Sequence, residues 1–337
     1  MAKPTAQFFT PAPDGREGRA RSPRANKLIA FSALIMLLFC VFVAYQASKA
    51  YENSVNEGKK NATRLTKILS DQVELTFLAV DLTLRRAVER QYFNMLFGGN
   101  LPRDIENNFR NWVEETPQIA AMMLVNDRGA VEIAANKDGY DDWFNYYDTM
   151  KEDHAFKTLQ DEADRNYYIG QQHTQNKKHP TLVVMSRRIN KLDGSFGGVI
   201  VAAVDPTYFS DFFSSVDFGT ERFMSLMLED GTLLYTGPDN DPERDVILDF
   251  IGDHANEHAK AQHVITDTQS FNDTIKIYSY SQLKNLPIIT AIVIDEQDFL
   301  STWRDARVKD ISFLAIFTIF GSVLSFFALT MAKQIIR

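Results

Sequence analysis

Cysteine is all but missing from this chain. The single Cys40 lies inside an apolar run, so neither a disulfide framework nor a cysteine-held zinc supports the rest. The short motifs of common chemistry are missing too: there is no P-loop, no dinucleotide-binding glycine fingerprint and no Gly-x-Ser-x-Gly elbow. Nothing implies a cofactor. Positive charge is scarce in the long middle of the chain. Residues 48–310 carry 28 basic and 42 acidic side chains, a balance that repels phosphate backbones and argues against nucleic acid as a partner.

Charge of either sign is absent from two apolar runs, residues 28–47 and 311–332. As helices, 20 and 22 residues reach about 30 Å, the thickness of the hydrocarbon layer. Six Lys or Arg side chains precede the first run (Lys3, Arg16, Arg19, Arg21, Arg24, Lys27) and Lys333 follows the second. Positive residues mark the cytoplasmic ends of membrane helices. The expectation is a two-helix protein of the cell inner membrane with both termini cytoplasmic and residues 48–310 in the periplasm. A rival reading of the first run is a signal peptide cleaved near Ser48-Lys49-Ala50, although such apolar cores are commonly about 7–15 residues. Residues 1–27, with Pro4, Pro11, Pro13, Pro23, Gly15 and Gly18, read as a disordered tail. Residues 333–337 are too few for a catalytic domain, so no enzyme is expected in this chain and any output lies elsewhere.

Between the runs, the pattern reads as α+β. Leu65, Ile68, Leu69, Val73, Phe77, Val80, Leu84 and Val88 recur at three- and four-residue steps, with no proline or glycine in residues 59–97. That predicts a long stalk helix over about 50–95. A short helix is expected at 105–115. Strands at 119–125 and 130–134 flank Asn126-Asp127-Arg128-Gly129, and strands at 181–189 and 196–204 flank Lys191-Leu192-Asp193-Gly194, both hairpin compositions. An aromatic, polar stretch at 138–173 separates the two hairpins. The pattern then repeats in shorter form: a linking helix at 208–216, a hairpin around Glu229-Asp230-Gly231, strands at 262–268, 275–281 and 288–294, and a helix at 296–309. Two antiparallel-sheet modules in tandem follow, about 96–206 and 207–300.

Several segments together resemble the double Cache sensors, tandem PAS-like extracytoplasmic modules. They are Tyr167-Tyr168-Ile169-Gly170, Met185-Ser186-Arg187-Arg188-Ile189, Asp193-Gly194-Ser195-Phe196-Gly197-Gly198, the strand ending Val204-Asp205, Tyr208-Phe209, and Leu228-Glu229-Asp230-Gly231-Thr232. The resemblance covers about residues 50–300. It implies a membrane-anchored receptor, a homodimer with long helices side by side, and a cytoplasmic effector of diguanylate cyclase, kinase or chemotaxis type. It also implies a small-molecule pocket in the membrane-distal module, at Trp143, Tyr146, Tyr147, Tyr168 and Asp205. An aromatic floor excludes water and strengthens one carboxylate's grip on an ammonium or hydroxyl. Two readings stay open for each residue: the aromatics line a pocket or form core, and Asp205 meets a ligand or caps the helix before Tyr208.

Amino-acid-binding members carry an arginine before the Trp-Tyr pair, whereas here Asp141-Asp142 precede Trp143. Arg187 is then the candidate for gripping a carboxylate, although adjacent Arg187 and Arg188 point to opposite faces of their strand. An amine and an amino acid both remain possible ligands. His254-Ala255-Asn256-Glu257-His258 matches the inverse-zincin spacing, but in a polar stretch it reads first as a solvated helix face. A ligand-independent membrane subunit that docks a partner protein is the alternative to a receptor.

Overall fold

The computed structural model describes residues 23–97, 102–140, 150–173, 181–205, 207–214, 222–237, 244–257, 264–271 and 274–335. Trp143, Tyr146, Tyr147 and His258 lie outside them. The first apolar run and the stalk form one helix, α1 (Pro23–Phe97). The chain divides into two units, residues 53–301 and residues 1–52 with 302–337.

In the larger unit, α2 (Pro102–Glu115) leads into β1 (Ile119–Asn126) and β2 (Val131–Asn136). Next come α3 (His154–Asp161), β3 (Tyr167–His173), β4 (Thr181–Asn190), β5 (Phe196–Val204) and α4 (Thr207–Ser214). The second module holds β6 (Arg222–Leu228), β7 (Leu233–Gly237), α5 (Arg244–Glu257), β8 (Ile265–Phe271), β9 (Thr274–Gln282), β10 (Ile288–Asp295) and α6 (Glu296–Phe299). The sheets run β2-β1-β5-β4-β3 and β7-β6-β10-β9-β8, the same antiparallel order twice. The expected α+β pair of PAS-like modules behind a long helix is therefore present. Each first hairpin turns on an Asx residue. Asn126 Oδ1 accepts the Arg128 and Ala130 amides, and Asp230 Oδ1 accepts the Thr232 amide. Gly129 and Gly231 supply the left-handed residue, φ 82° and 87°.

Strands 119–125 and 199–204 are buried on both faces, because helices cover both. One face of each sheet meets α1 through Leu69, Val73, Phe77, Val80, Leu84 and Ala87, all buried, at three- and four-residue steps. Ile68 belongs to the other side of the helix and is 45% exposed. Gly58 lets α1 approach closely: a Cβ there would stand 2.6 Å from Ile277 Cδ1 and 2.9 Å from Phe299 Cβ. The opposite face of the first sheet packs on α3 through Met123, Phe156, Leu159 and Val201. The opposite face of the second packs on α5 through Ile247, Ile251, Met227 and Val293.

The smaller unit pairs the start of α1 with α7 (Ser301–Ile335). Phe39 stacks on Phe317 with ring centroids 4.2 Å apart, and Trp303 Nε1 donates to the Ala47 carbonyl at 3.0 Å. Phe31, Leu37, Val41, Ile311, Phe313 and Phe320 are all exposed. Among the described residues, α1 is the one helix that meets a length-and-hydropathy standard for crossing a membrane.

Candidate ligand-binding site

Parity along β5 decides where Asp205 points. Val199, Val201 and Ala203 face α3, while Ile200, Ala202 and Val204 face α1. Asp205, next in line, belongs to the α3 side. Its Oδ2 accepts the Tyr140 hydroxyl, from the turn that follows β2. Burial first, and then the Asp205 carboxylate, push the Tyr140 phenol well above its ordinary value, which keeps it a protonated donor. Lys137 lies near the same carboxylate. Burial lowers its ammonium from its ordinary value and Asp205 opposes that. Its Nζ donates to the carbonyls of Pro117 (2.8 Å) and Thr116 (3.3 Å). Asp205, Tyr140 and Lys137 thus form one polar corner, at the end where residues 141–149 leave the described chain.

The floor beside this corner is shallow. Cross-strand pairing sets Ala121 opposite Ala203, Ala203 opposite Val184, and Val184 opposite Gly170. In the next row Ser186 is opposite Val201 and Tyr168. Among the described residues the Ser186 hydroxyl, buried on the α3 side, has no hydrogen-bond partner. Such a group is costly unless something completes it.

Tyr168 stands on the same face but not in the same corner. It lies four residues along the strand direction and two strands across from Asp205, about 15 Å by strand spacing. Its ring folds back over Gly170, where a Cβ would come within 2.6 Å of it, and pairs with His154 at 5.5 Å. Tyr168 borders a cleft of about 750 Å³ between the modules, faced by Asn166, Asp230, Lys284 and Asn285. Burial, helped by the charges of Asp153 and Asp230, raises its phenol.

Arg187 is not brought to either place. Its Nε and Nη2 each lie 2.6 Å from Asp81 Oδ1 on α1, while Arg85 Nε holds Oδ2 at 2.7 Å. This pair is mostly buried, with side chains 13% and 11% exposed. The carboxylate that Arg187 grips is therefore internal. Arg188 is the arginine on the α3 side. It donates to the Gln160 and Leu159 carbonyls at the end of α3, and its guanidinium lies 5.0 Å over the Phe196 ring. At the other end of α3, Asp153 Oδ1 accepts the Ala155 (2.8 Å) and Phe156 (3.4 Å) amides as an N-cap.

Tyr140, Lys137 and Ser186 escaped the sequence reading. Each is ordinary in composition: Tyr140 and Lys137 come from the segment after β2 to meet Asp205, and Ser186 stands apart, in the row of Tyr168. On α5, His254 Nδ1 lies 2.9 Å from the Phe250 carbonyl. No group of three or more potential ligands that could hold a metal occurs among the described residues.

No protein-family model and no curated protein matches the chain in sequence. Solved structures do match it in shape. The extracellular domain of the histidine kinase candidate rpHK1S-Z16 aligns over 74% of this chain and 99% of its own, at 21% identity and TM-score 0.53. The extracellular domain of a second candidate, soHK1S-Z6, aligns over 75% and 99%, at 8% identity and TM-score 0.54. The sensory domain of the Campylobacter jejuni chemoreceptor Tlp3 with isoleucine bound aligns over 76% and 98%, at 13% identity and TM-score 0.49. The chain thus shares its fold with the first two of these extracellular domains.

Proposed function

We propose that this chain is a membrane-anchored receptor whose two-module region lies outside the cell membrane and senses a small molecule carrying an ammonium group. The observation that carries the reading is the Asp205 corner. A carboxylate ends a buried strand, and a protonated phenol and a desolvated lysine flank it. The shape neighbours' extracellular placement supports the same orientation. An amine or an amino acid fits the corner. Trp143, Tyr146 and Tyr147 are proposed as further ligand-binding residues. Tyr168 takes part only for a ligand long enough to reach across the sheet. Arg187 is proposed to tie the first sheet to α1 rather than to touch the ligand.

The paired helices of the smaller unit, apolar on their outward sides, are proposed as two membrane spans of the inner membrane. Residues 48–310 would be periplasmic and both termini cytoplasmic. Binding that favours one pocket geometry over another shifts α1 and α7, and through them a cytoplasmic effector of kinase, diguanylate cyclase or chemotaxis type. A second copy is the proposed partner of α1. Ile68, Leu75, Leu78 and Leu82 are exposed at steps of seven, three and four, the spacing of a coiled-coil seam.

Thermal unfolding of the full chain in detergent, against amino acids and simple amines, tests the sensor reading. An ammonium compound should raise the midpoint in the native chain and lose its effect in Asp205→Ala. A panel without any hit, or a hit undiminished in Asp205→Ala, rejects it. Leu78→Glu should convert a dimer to a monomer by light scattering.

A further inference from the structure

The two sheets can be superposed residue by residue through their registers. Val204 pairs with Val183, and Ile294 pairs with Ile277. The residue after Val204 is Asp205, and the residue after Ile294 is Asp295, so each central strand ends on an aspartate that leads into a helix. One position earlier on the neighbouring strands stand Leu182 in the first sheet and Lys276 in the second. Leu182 is fully buried in the apolar cluster under α3. Lys276 is a lysine in an almost fully buried place, its side chain 4% exposed, with Nζ 3.3 Å from Asp295 Oδ2. A desolvated ammonium is retained where a carboxylate compensates it.

Asp295 does a second thing at once. It is the N-cap of α6, its Oδ1 accepting the Gln297 amide at 3.4 Å. The helix α6 contacts β9 as well as β10, and the chain continues from it into α7. The ion pair therefore joins strand β9 to the first turn through which the sheet hands over to the last helix.

We propose that Lys276 is a tethered cation that fills the second module's counterpart of the Asp205 site, closing that module to cationic ligands and latching α6 to the sheet. The second module then acts as a fixed coupling piece, and a chain takes up one cationic ligand rather than two. The count of one ligand rests on the proposed Asp205 site, whereas the latch stands on the register and the ion pair alone.

Chemical rescue tests it in the full chain in detergent. Lys276→Ala removes the atoms from Cγ to Nζ, which propylammonium replaces one for one. Lys276→Ala should lower the unfolding midpoint by roughly 5 °C or more. Propylammonium should restore part of that loss with a saturating dose dependence. The restoration should exceed any shift it gives the native chain, and tetramethylammonium and sodium chloride at equal ionic strength should not reproduce it. Lys276→Met, which keeps the volume filled, should not respond. Amide exchange at Gln297 should speed up in Lys276→Ala and slow again with propylammonium. A response no larger than that to sodium chloride, or an equal response in the native chain, overturns the proposal. Should Lys276→Ala fail to fold, Lys276→Met/Asp295→Asn should be more stable than Lys276→Met alone, since the single change leaves a carboxylate without its cation. Equal stability of the two would also overturn it.

Discussion

The two modules share a strand order and a register, yet meet α1 by different means. Against the first sheet, α1 lays down Phe77, Val80, Leu84 and Ala87, and Phe77 stacks near Phe209 at 6.3 Å. One ion pair, Asp81 with Arg187, is set into that contact. Against the second sheet, hydroxyls are added to the apolar contact. Thr63 shares a hydrogen bond with Thr266 (2.8 Å), Thr266 with Ser279 (2.8 Å), and Ser70 with Thr290 (2.6 Å), while Thr66 donates to the Ser279 carbonyl at 3.3 Å. Apolar contact holds the helix without fixing its register, since it is not directional. Hydroxyl pairs add little net stability but lose it all when the helix shifts by one residue. Apolar contact thus holds α1 to both sheets, and the hydroxyls of the second set the position of α1 along its axis.

The largest test of that division lies in the first sheet. Phe77→Ala should cost about 3–5 kcal/mol in denaturant unfolding, because a buried ring between α1 and α4 leaves a cavity. Arg187→Ala should cost about 3 kcal/mol, because it strands the mostly buried Asp81 carboxylate with only the exposed Arg85 beside it. A loss below 1 kcal/mol for both changes would mean that α1 is held elsewhere. In the second sheet, a double-mutant cycle of Ser70→Ala and Thr290→Val should give a coupling of about 1 kcal/mol. A coupling near zero would remove the register-setting role.

Smaller effects sharpen the comparison of helix caps and surface pairs. Burial raises the Asp153 carboxyl above its ordinary value of 3.8, outweighing the two amides that it accepts. A raised acid favours folding most below its ordinary value, and that contribution is lost as pH rises through the raised value. Asp153→Asn keeps a cap without the charge. It should gain on the native chain between pH 4 and pH 8, whereas Asp153→Ala should lose about 1 kcal/mol. Smallest is Lys59 with Asp267. The Lys59 hydrogen bond lowers the Asp267 carboxyl, so its contribution is present above 3.8 and lost as pH falls through the lowered value. Asp267 is 60% exposed, and solvent screening limits the effect of Asp267→Asn to about 0.5 kcal/mol or less at neutral pH.

Much of this architecture was legible where pattern and burial coincide. The Phe77 stripe marked α1, and Asx-Gly turns marked the hairpins. The strand β3 and helix α3 were hidden in the aromatic stretch 138–173. Tyr167-Tyr168-Ile169-Gly170 pairs with β4 alone in its sheet, as an edge, and shows no polar alternation. The side taken by Arg187 was also unreadable. Leu182, Val183, Val184 and Met185 are apolar on both faces, so nothing local says which parity faces α1. The partner Asp81 is 106 residues away, though a lone acid next to Val80 in an apolar stripe was a usable signal. Nothing local distinguishes Lys276, between Ile275 and Ile277, from a solvent-facing strand residue. Only the β9–β10 register reveals its aspartate.

The central claim is that the two strand-end aspartates have parted roles: Asp205 meets a ligand's ammonium, while Asp295 holds one belonging to the chain itself. Titration calorimetry of the full chain, with the ammonium compound that stabilises it, tests both halves together. The account predicts one bound molecule per chain, abolished by Asp205→Ala and kept by Lys276→Met. Two molecules per chain, or binding that survives Asp205→Ala and vanishes with Lys276→Met, would contradict it.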